Sequence, residues 1–240
     1  WPLLGPKIPV FPRQTWFKPL GDAGEGKTFS LSRLALAIIE CFSMEKSRKM
    51  EYKQINRLVP IMIGYSELTD CHNKAEIIGR IYDTICVASE LSKVRKFLYR
   101  KGKVTRVIEK YLSQGRFVVM IDGYDEIENI DRRLELSQIL ESFMNDYDKC
   151  NFVLTSRTKI YENERFSNIL EDHMLYLSPL SKDKIYRFIQ KWDFPEGKSR
   201  GDLYQRIINT PQLEDVSSNP LLLTMITYTY CNSNDLSFKS

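Results

Sequence analysis

Phe117-Val118-Val119-Met120-Ile121-Asp122-Gly123-Tyr124-Asp125-Glu126 opens on five apolar residues and closes on three carboxylates within five positions. An unbroken apolar run with β-branched members reads as a strand buried on both faces, which is the pattern of a parallel sheet. Ligands of such sheets gather beyond the carboxyl ends of the strands. Asp122 therefore stands where a ligand would be met, with Asp125 and Glu126 just past it. One carboxylate can hold a hydrated cation while another orients or deprotonates an attacking water. The plainer alternative is a buried strand with a solvated acidic turn after it, and a second motif decides between them.

That motif is GDAGEGKT at Gly21–Thr28, which fits the phosphate-loop pattern G-x-x-x-x-G-K-[ST]. Gly21, Gly24 and Gly26 allow backbone conformations that side chains forbid, so successive N–H groups can turn inward on phosphates at the start of the next helix. Lys27 would reach the β- and γ-phosphates and the Thr28 hydroxyl would meet Mg²⁺, which Asp122 also serves through the metal's water shell. The nucleotide-binding set is Gly21, Asp22, Ala23, Gly24, Glu25, Gly26, Lys27, Thr28 and Phe29, with Thr28 and Asp122 at the metal.

Working outward, strands and helices alternate. Thr15–Leu20 should feed the loop, although Lys18 and Pro19 make it a poor central strand. Leu31, Leu34, Ala35, Ile38, Ile39 and Phe42 then recur at helical spacing. Leu58–Gly64, Asn151–Thr155 and Met174–Leu177 read as further strands. Helices are expected around Glu76–Val87, through Val104–Leu112, and through Leu136–Tyr147. The expectation is an α/β P-loop fold, a parallel five-stranded sheet flanked by helices. From Ser181 the pattern is helical only, with Ser181 capping Lys182–Trp192, a helix at Leu203–Ile208, and Asn219-Pro220 opening Leu221–Tyr230. The division is a proline-rich linker over residues 1–13, a nucleotide-binding domain over 14–179, and a small all-helical subdomain over 180–240. The chain starts at Trp1 and stops soon after an apolar helix, as a piece of a longer protein would. Tyr228 and Tyr230 are expected to face whatever follows.

At 42% apolar and 28% charged, the 240 residues can bury a core and carry no disorder signature. The net charge of +4 suits an anionic ligand without demanding one. Apolar runs stay far short of a membrane span and no signal peptide is evident, so no membrane partner is expected. The five cysteines (Cys41, Cys71, Cys86, Cys150, Cys231) are scattered, with no C-x-x-C pair. That argues against a disulfide scaffold or zinc site and for a reducing, cytoplasmic setting. Cys71-His72 reads as an ordinary loop and His173 as structural.

Together with NFVLTSRT at Asn151–Thr158, LSPLSKDKIYRFIQKW at Leu177–Trp192 and SNPLLLTMI at Ser218–Ile226, the two motifs make residues 14–230 resemble a NACHT domain. That is the nucleotide-binding core of the STAND class of regulatory NTPases, found in innate immune receptors and bacterial anti-phage proteins. The resemblance implies an ATPase using ATP/ADP and Mg²⁺, with Asp125 and Glu126 supporting hydrolysis. It implies that Arg157 senses the γ-phosphate and that Pro220 packs near the base. It further implies a switch that rests closed with ADP and forms a homo-oligomer with ATP, joined to effector and sensor domains outside this stretch. The family's winged-helix segment would lie beyond Ser240. Asp22 and Glu25 are acidic for a phosphate loop, a departure the family tolerates because the loop works through backbone N–H groups.

Two rival classes remain in view: a P-loop kinase acting on a small acceptor, and a binding module for which nucleotide is structural and hydrolysis negligible. A small GTPase fits less well, because Asn73-Lys74-Ala75-Glu76 lacks the aspartate that reads guanine. Lys93–Lys110 holds eight basic residues and one acidic with Phe97 and Tyr99 interleaved, so nucleic acid is a secondary candidate partner. A solvated helix face explains the same stretch.

Overall fold

The run at Phe117 forms strand β3 (Phe117–Asp122), buried throughout until Asp122. The computed structural model describes residues 16–43, 58–88, 103–160 and 174–232. The linker at 1–13, His173 and the first part of the basic stretch fall outside them. Around β3 lie β1 (Trp16–Leu20), β2 (Val59–Gly64), β4 (Asn151–Leu154) and β5 (Met174–Tyr176). The order is β2-β3-β4-β1-β5, and all four pairings are parallel.

Period-two alternation along β3 divides its side chains between two layers. Phe117, Val119 and Ile121 join a core with α2 (Lys74–Ala88), α3 (Lys103–Ser113) and α4 (Ile130–Asp146), through Ile77, Ile81, Ile108, Leu112, Leu136, Leu140 and Phe143. Val118 and Met120 face the other way, onto Leu31 and Ile38 of α1 (Lys27–Ser43) and Val153 of β4. Each such fully buried side chain contributes about 1.5–3 kcal/mol. Helices on both layers explain why β3 is apolar without interruption.

Pro19 is accommodated by dividing the pairing of β1. On the β4 side Trp16 and Phe17 pair with Phe152 and Val153, and the next bridge is Leu20 to Ser156. Lys18, Pro19 and Leu20 pair with β5. Lys18 and Pro19 are thus skipped on the side of β4, where the ladder would otherwise be continuous.

The chain divides into two compact units, residues 1–20 with 27–176, and residues 21–26 with 177–240. The second holds α5 (Lys182–Gln190), α6 (Arg200–Asn209), α7 (Pro211–Ser217) and α8 (Pro220–Asn232). Ser181 and Ser199 cap α5 and α6 by accepting the Lys184 and Asp202 N–H groups at 3.4 and 3.3 Å. Ile185, Ile189, Leu203, Ile207, Leu223 and Ile226 form its core. Tyr230 belongs to that core and donates its hydroxyl to Asp202 at 2.7 Å, which corrects the expectation that it faces outward; Tyr228 is exposed. Helix α7 was not anticipated, although Pro211 at its first turn is a sound start signal. Among the described residues no helix is long and apolar enough to cross a membrane.

Candidate functional site

Helix α1 starts at Lys27, and the Thr28 hydroxyl donates to Asp122 Oδ2 at 2.5 Å, joining positions 94 residues apart. The other oxygen of Asp122 accepts from Thr155, the residue after β4. Thr155 is fully buried, and its hydroxyl also receives the Gly123 N–H at 2.8 Å. Its backbone continues the grip, donating to the Ile121 carbonyl at 3.0 Å and accepting from Tyr124 at 2.9 Å. Sheet order accounts for this, because β4 lies beside β3 and brings its end level with Asp122. Both oxygens of Asp122 are therefore directed by hydroxyls.

Gly123 turns the chain with φ +79°, a left-handed conformation that favours glycine. A Cβ there would lie 2.5 Å from Glu126 Cδ, so the Glu126 carboxylate is folded back over Gly123. Tyr124 anchors the turn: it is fully buried, meets Tyr65 edge-on at 5.0 Å, and lies under the Arg133 guanidinium at 5.6 Å. With Tyr124 fixed inward, Asp125 and Glu126 diverge. Asp125 Oδ1 accepts the Arg157 N–H at 3.0 Å and Oδ2 pairs with Arg157 Nε at 2.8 Å. Glu126 Oε2 accepts from the Ser66 hydroxyl at 3.1 Å, at the end of β2.

In the helical unit, residues 21–26 curl with Glu25 folded back, so that its Oε2 accepts the Asp22 N–H at 2.7 Å while its own N–H reaches the Asp22 carbonyl at 3.3 Å. The acidic side chain thus closes the loop on itself. Asn219 donates its Nδ2 to the Ala23 carbonyl at 2.8 Å, and its Oδ1 caps α8 by accepting from Leu221 and Leu222 at 3.0 and 3.3 Å. Leu221 N–H donates to the Gly24 carbonyl at 3.2 Å. Gly24, at φ +81°, leaves space that a Cβ would take from Asn219 Oδ1 at 2.7 Å. Pro220, as the first residue of α8, lies between the two residues that hold the loop.

The donor set at Thr28 and Asp122 fits Mg²⁺, a hard cation that takes one or two carboxylate or hydroxyl oxygens and fills its octahedron with water and phosphate. Among the described residues there is no cluster of three or more His, Cys, Asp or Glu able to hold a metal by itself. Of the other expected residues, Lys27 stands in the first turn of α1 and Phe29 is exposed there. Sequence reasoning missed the roles of Thr155 and Ser66. The available signal was a polar residue within two positions of the end of each strand flanking β3, Thr155 directly after β4 and Ser66 two residues past β2.

Two bland expectations also have physical accounts. Asn73 starts α2, accepting the Glu76 N–H at 3.1 Å, while Glu76 accepts the His72 N–H at 2.5 Å, which holds its carboxyl below the usual range. Asn73–Glu76 is a helix start. Cys71 is buried and burial pushes its thiol up. Cys71, Cys86, Cys150 and Cys231 are free thiols.

No protein-family model matches the chain, and no curated protein does. Among solved structures it is similar to that of the Aeropyrum pernix ORC1 protein in complex with DNA, with 14% identity and a TM-score of 0.46. The likeness covers 92% of this chain and 54% of that one, so the chain spans about half the length of that protein.

Proposed function

We propose that the chain is the nucleotide-binding core of a NACHT-type regulatory switch, which binds ATP with Mg²⁺, hydrolyses it slowly to ADP and phosphate, and signals by the difference between the two. The observation that carries this reading is the 2.5 Å contact between Thr28, at the end of the glycine motif, and Asp122, at the end of the buried strand. A hydroxyl that can ligate Mg²⁺ and a carboxylate that can hold the metal's water shell, converging from motifs of that kind, are what a phosphate-bound Mg²⁺ asks of the protein. When bound, the metal neutralises charge on the β- and γ-phosphates.

In this reading residues 21–29 wrap the phosphates, Lys27 pairs with the β- and γ-groups, and Arg157 senses the γ-phosphate. Pro220 lies beside the base, and Asp125 and Glu126 serve hydrolysis. The four free thiols among the described cysteines suit a cytoplasmic protein. Assembly as a homo-oligomer with ATP, fused effector and sensor domains, and a part in innate immunity or anti-phage defence rest on the family resemblance of the motifs. The engagement of both Asp125 oxygens by Arg157 favours a second reading, a nucleotide-stabilised module with negligible turnover, which single-turnover assays separate from the first.

The test is to purify the chain, denature it, and identify released nucleotide by chromatography, then to titrate the emptied protein with ATP and ADP. Adenine nucleotide in the preparation, or micromolar binding on titration, supports the switch. Guanine nucleotide would replace the assigned base. A preparation that is empty and binds neither ATP nor ADP overturns the reading.

A further inference from the structure

We infer that the exposed face of α3, with the turn that follows it, is a docking surface for single-stranded nucleic acid, built on Arg106, Lys110, Tyr111 and Arg116. The inference is independent of the nucleotide reading above. Arg116 directly precedes β3 and Asp122 ends it, so the two sites lie at opposite ends of that strand.

The stretch Lys93–Lys110 holds eight basic residues and one acidic, and α3 carries the last three cations at positions 103, 106 and 110. Spacings of three and four put those positions on one helix face. Arg106 and Lys110 are exposed, and neither has a hydrogen-bond or ion-pair partner among the described residues. The acidic residue is Glu109. Burial, and after it the charge of Glu109, holds the Tyr147 hydroxyl above its usual value, so Glu109 leans toward the end of α4. The cationic face is left without a carboxylate of its own helix.

A solvated face accounts for those cations but not for the apolar residues among them. Ile108 and Leu112 of α3 fill the core, yet Val107 and Tyr111, each one position before them, are 50% and 42% exposed. Tyr111 is also held in place. Its ring meets Phe117 edge-on at 6.3 Å, and the Arg116 guanidinium lies 5.7 Å from its centroid. Gly115 makes this possible: at φ +66° it turns the chain, its N–H donates to the Leu112 carbonyl at 2.9 Å, and the Arg116 N–H donates to the Tyr111 carbonyl at 3.0 Å. The arginine is thereby folded back over the ring. A fixed aromatic ring, open to solvent and framed by cations, stacks an unpaired base while the flanking phosphates meet the charges. The guanidinium plane adds a second stacking element. A paired base inside a duplex offers no free face to such a ring, so the unpaired strand is the occupant.

The test is fluorescence anisotropy of a labelled oligothymidylate of about twenty nucleotides, titrated with the chain over a range of salt. Binding should weaken with salt at a log–log slope of about −2 or steeper, as three phosphate contacts on a single strand require. Reversing two charges, Arg106→Glu with Lys110→Glu, should weaken binding at least about tenfold and flatten the slope by about 1.4. Reversing two exposed lysines of the helical unit, Lys184→Glu with Lys191→Glu, changes net charge equally and should leave the affinity unchanged. Tyr111→Ala should weaken binding about 5- to 100-fold, and Tyr111→Phe, which keeps the ring, should restore it. Lys27→Ala should bind the strand normally, which separates this surface from the phosphate loop. The inference is overturned if about 100 μM chain binds no strand at low salt, or if the Arg106/Lys110 or Tyr111→Ala variants bind as the unmodified chain does. It is equally overturned if the control pair or Lys27→Ala loses binding, or if a duplex of the same length or phosphatidylserine vesicles are preferred to the single strand.

Discussion

Thr155 and Asp122 meet side chain to side chain across neighbouring strands, and the same hydroxyl that donates to the carboxylate receives the Gly123 N–H at 2.8 Å. One small buried residue thereby fixes both Asp122 and the turn that leads to the next two carboxylates. Thr155→Val keeps the shape and removes the hydroxyl, leaving a buried amide and a carboxylate oxygen without that partner. The expected cost is about 2 kcal/mol, or a melting temperature lower by roughly 4–8 °C, together with a weaker dependence of nucleotide affinity on Mg²⁺. Thr155→Ser should restore the Mg²⁺ dependence. An unshifted melt for the valine variant would show that the hydroxyl contributes nothing.

Lys27 precedes Thr28 in the first turn of α1. Lys27→Ala should weaken both ATP and ADP by about 10- to 100-fold or more, the worth of a charge-assisted phosphate contact, with the circular dichroism spectrum retained. Calorimetric titration checks it, and wild-type affinity in the variant would move the phosphate site elsewhere.

Asn219 caps α8 with its oxygen and holds Ala23 with its nitrogen, so two substitutions separate the tasks. Asn219→Asp keeps the cap but removes the donor to the Ala23 carbonyl; Asn219→Ala removes both. Alanine should cost about 1 kcal/mol more in chemical denaturation than aspartate does, while both should speed nucleotide release equally. Stopped-flow release of a fluorescent ADP distinguishes them.

Gly123→Ala places a side chain in a left-handed backbone and into the Glu126 carboxyl group. Backbone strain of about 1–2 kcal/mol is expected from the first effect. The second should depress hydrolysis beyond what the lost stability explains. Comparing single-turnover rates well below the melting temperature measures that excess.

Burial pushes the Cys150 thiol up to about 11, with its Sγ 3.2 Å from the Leu112 carbonyl. The folded value lies above the unfolded one, so the folded chain holds that proton more tightly. The stability this supplies is complete below the unfolded value near pH 9 and is lost as pH rises toward 11. At most about 2–3 kcal/mol is at stake. Denaturation midpoints should fall across that window, less so in Cys150→Ala, and a maleimide at pH 8 should leave Cys150 unlabelled in the native protein.

The elements whose residues speak through periodicity were legible. β3 announces burial on both faces, Ser181 and Asn219-Pro220 announce helix starts, and Gly21–Thr28 announces the loop before α1. What escaped depends on neighbours in space. Nothing local to Asn151–Thr155 says that β4 lies between β1 and β3, and without that order Thr155 is only a polar strand end. Tyr230 misled because an aromatic near the end of an amphipathic helix can face either way; its hydroxyl is satisfied by Asp202, on another helix. Pro19 cast doubt on β1 because a ladder was imagined as continuous, whereas the β4 side skips it.

That strand order has a temporal side. Among the described strands β1 pairs with β4 and β5, so Trp16 finds its partner only when Phe152 has been made. At ribosomal speed the wait is on the order of ten seconds, during which β2 and β3 can already associate. The strand before the glycine motif therefore waits until residues 151–154 have been made, and takes its place beside β4 before β5 closes on its other side. On the nucleotide reading proposed above, a ribosome stalled before residue 151 should present a chain blind to ATP.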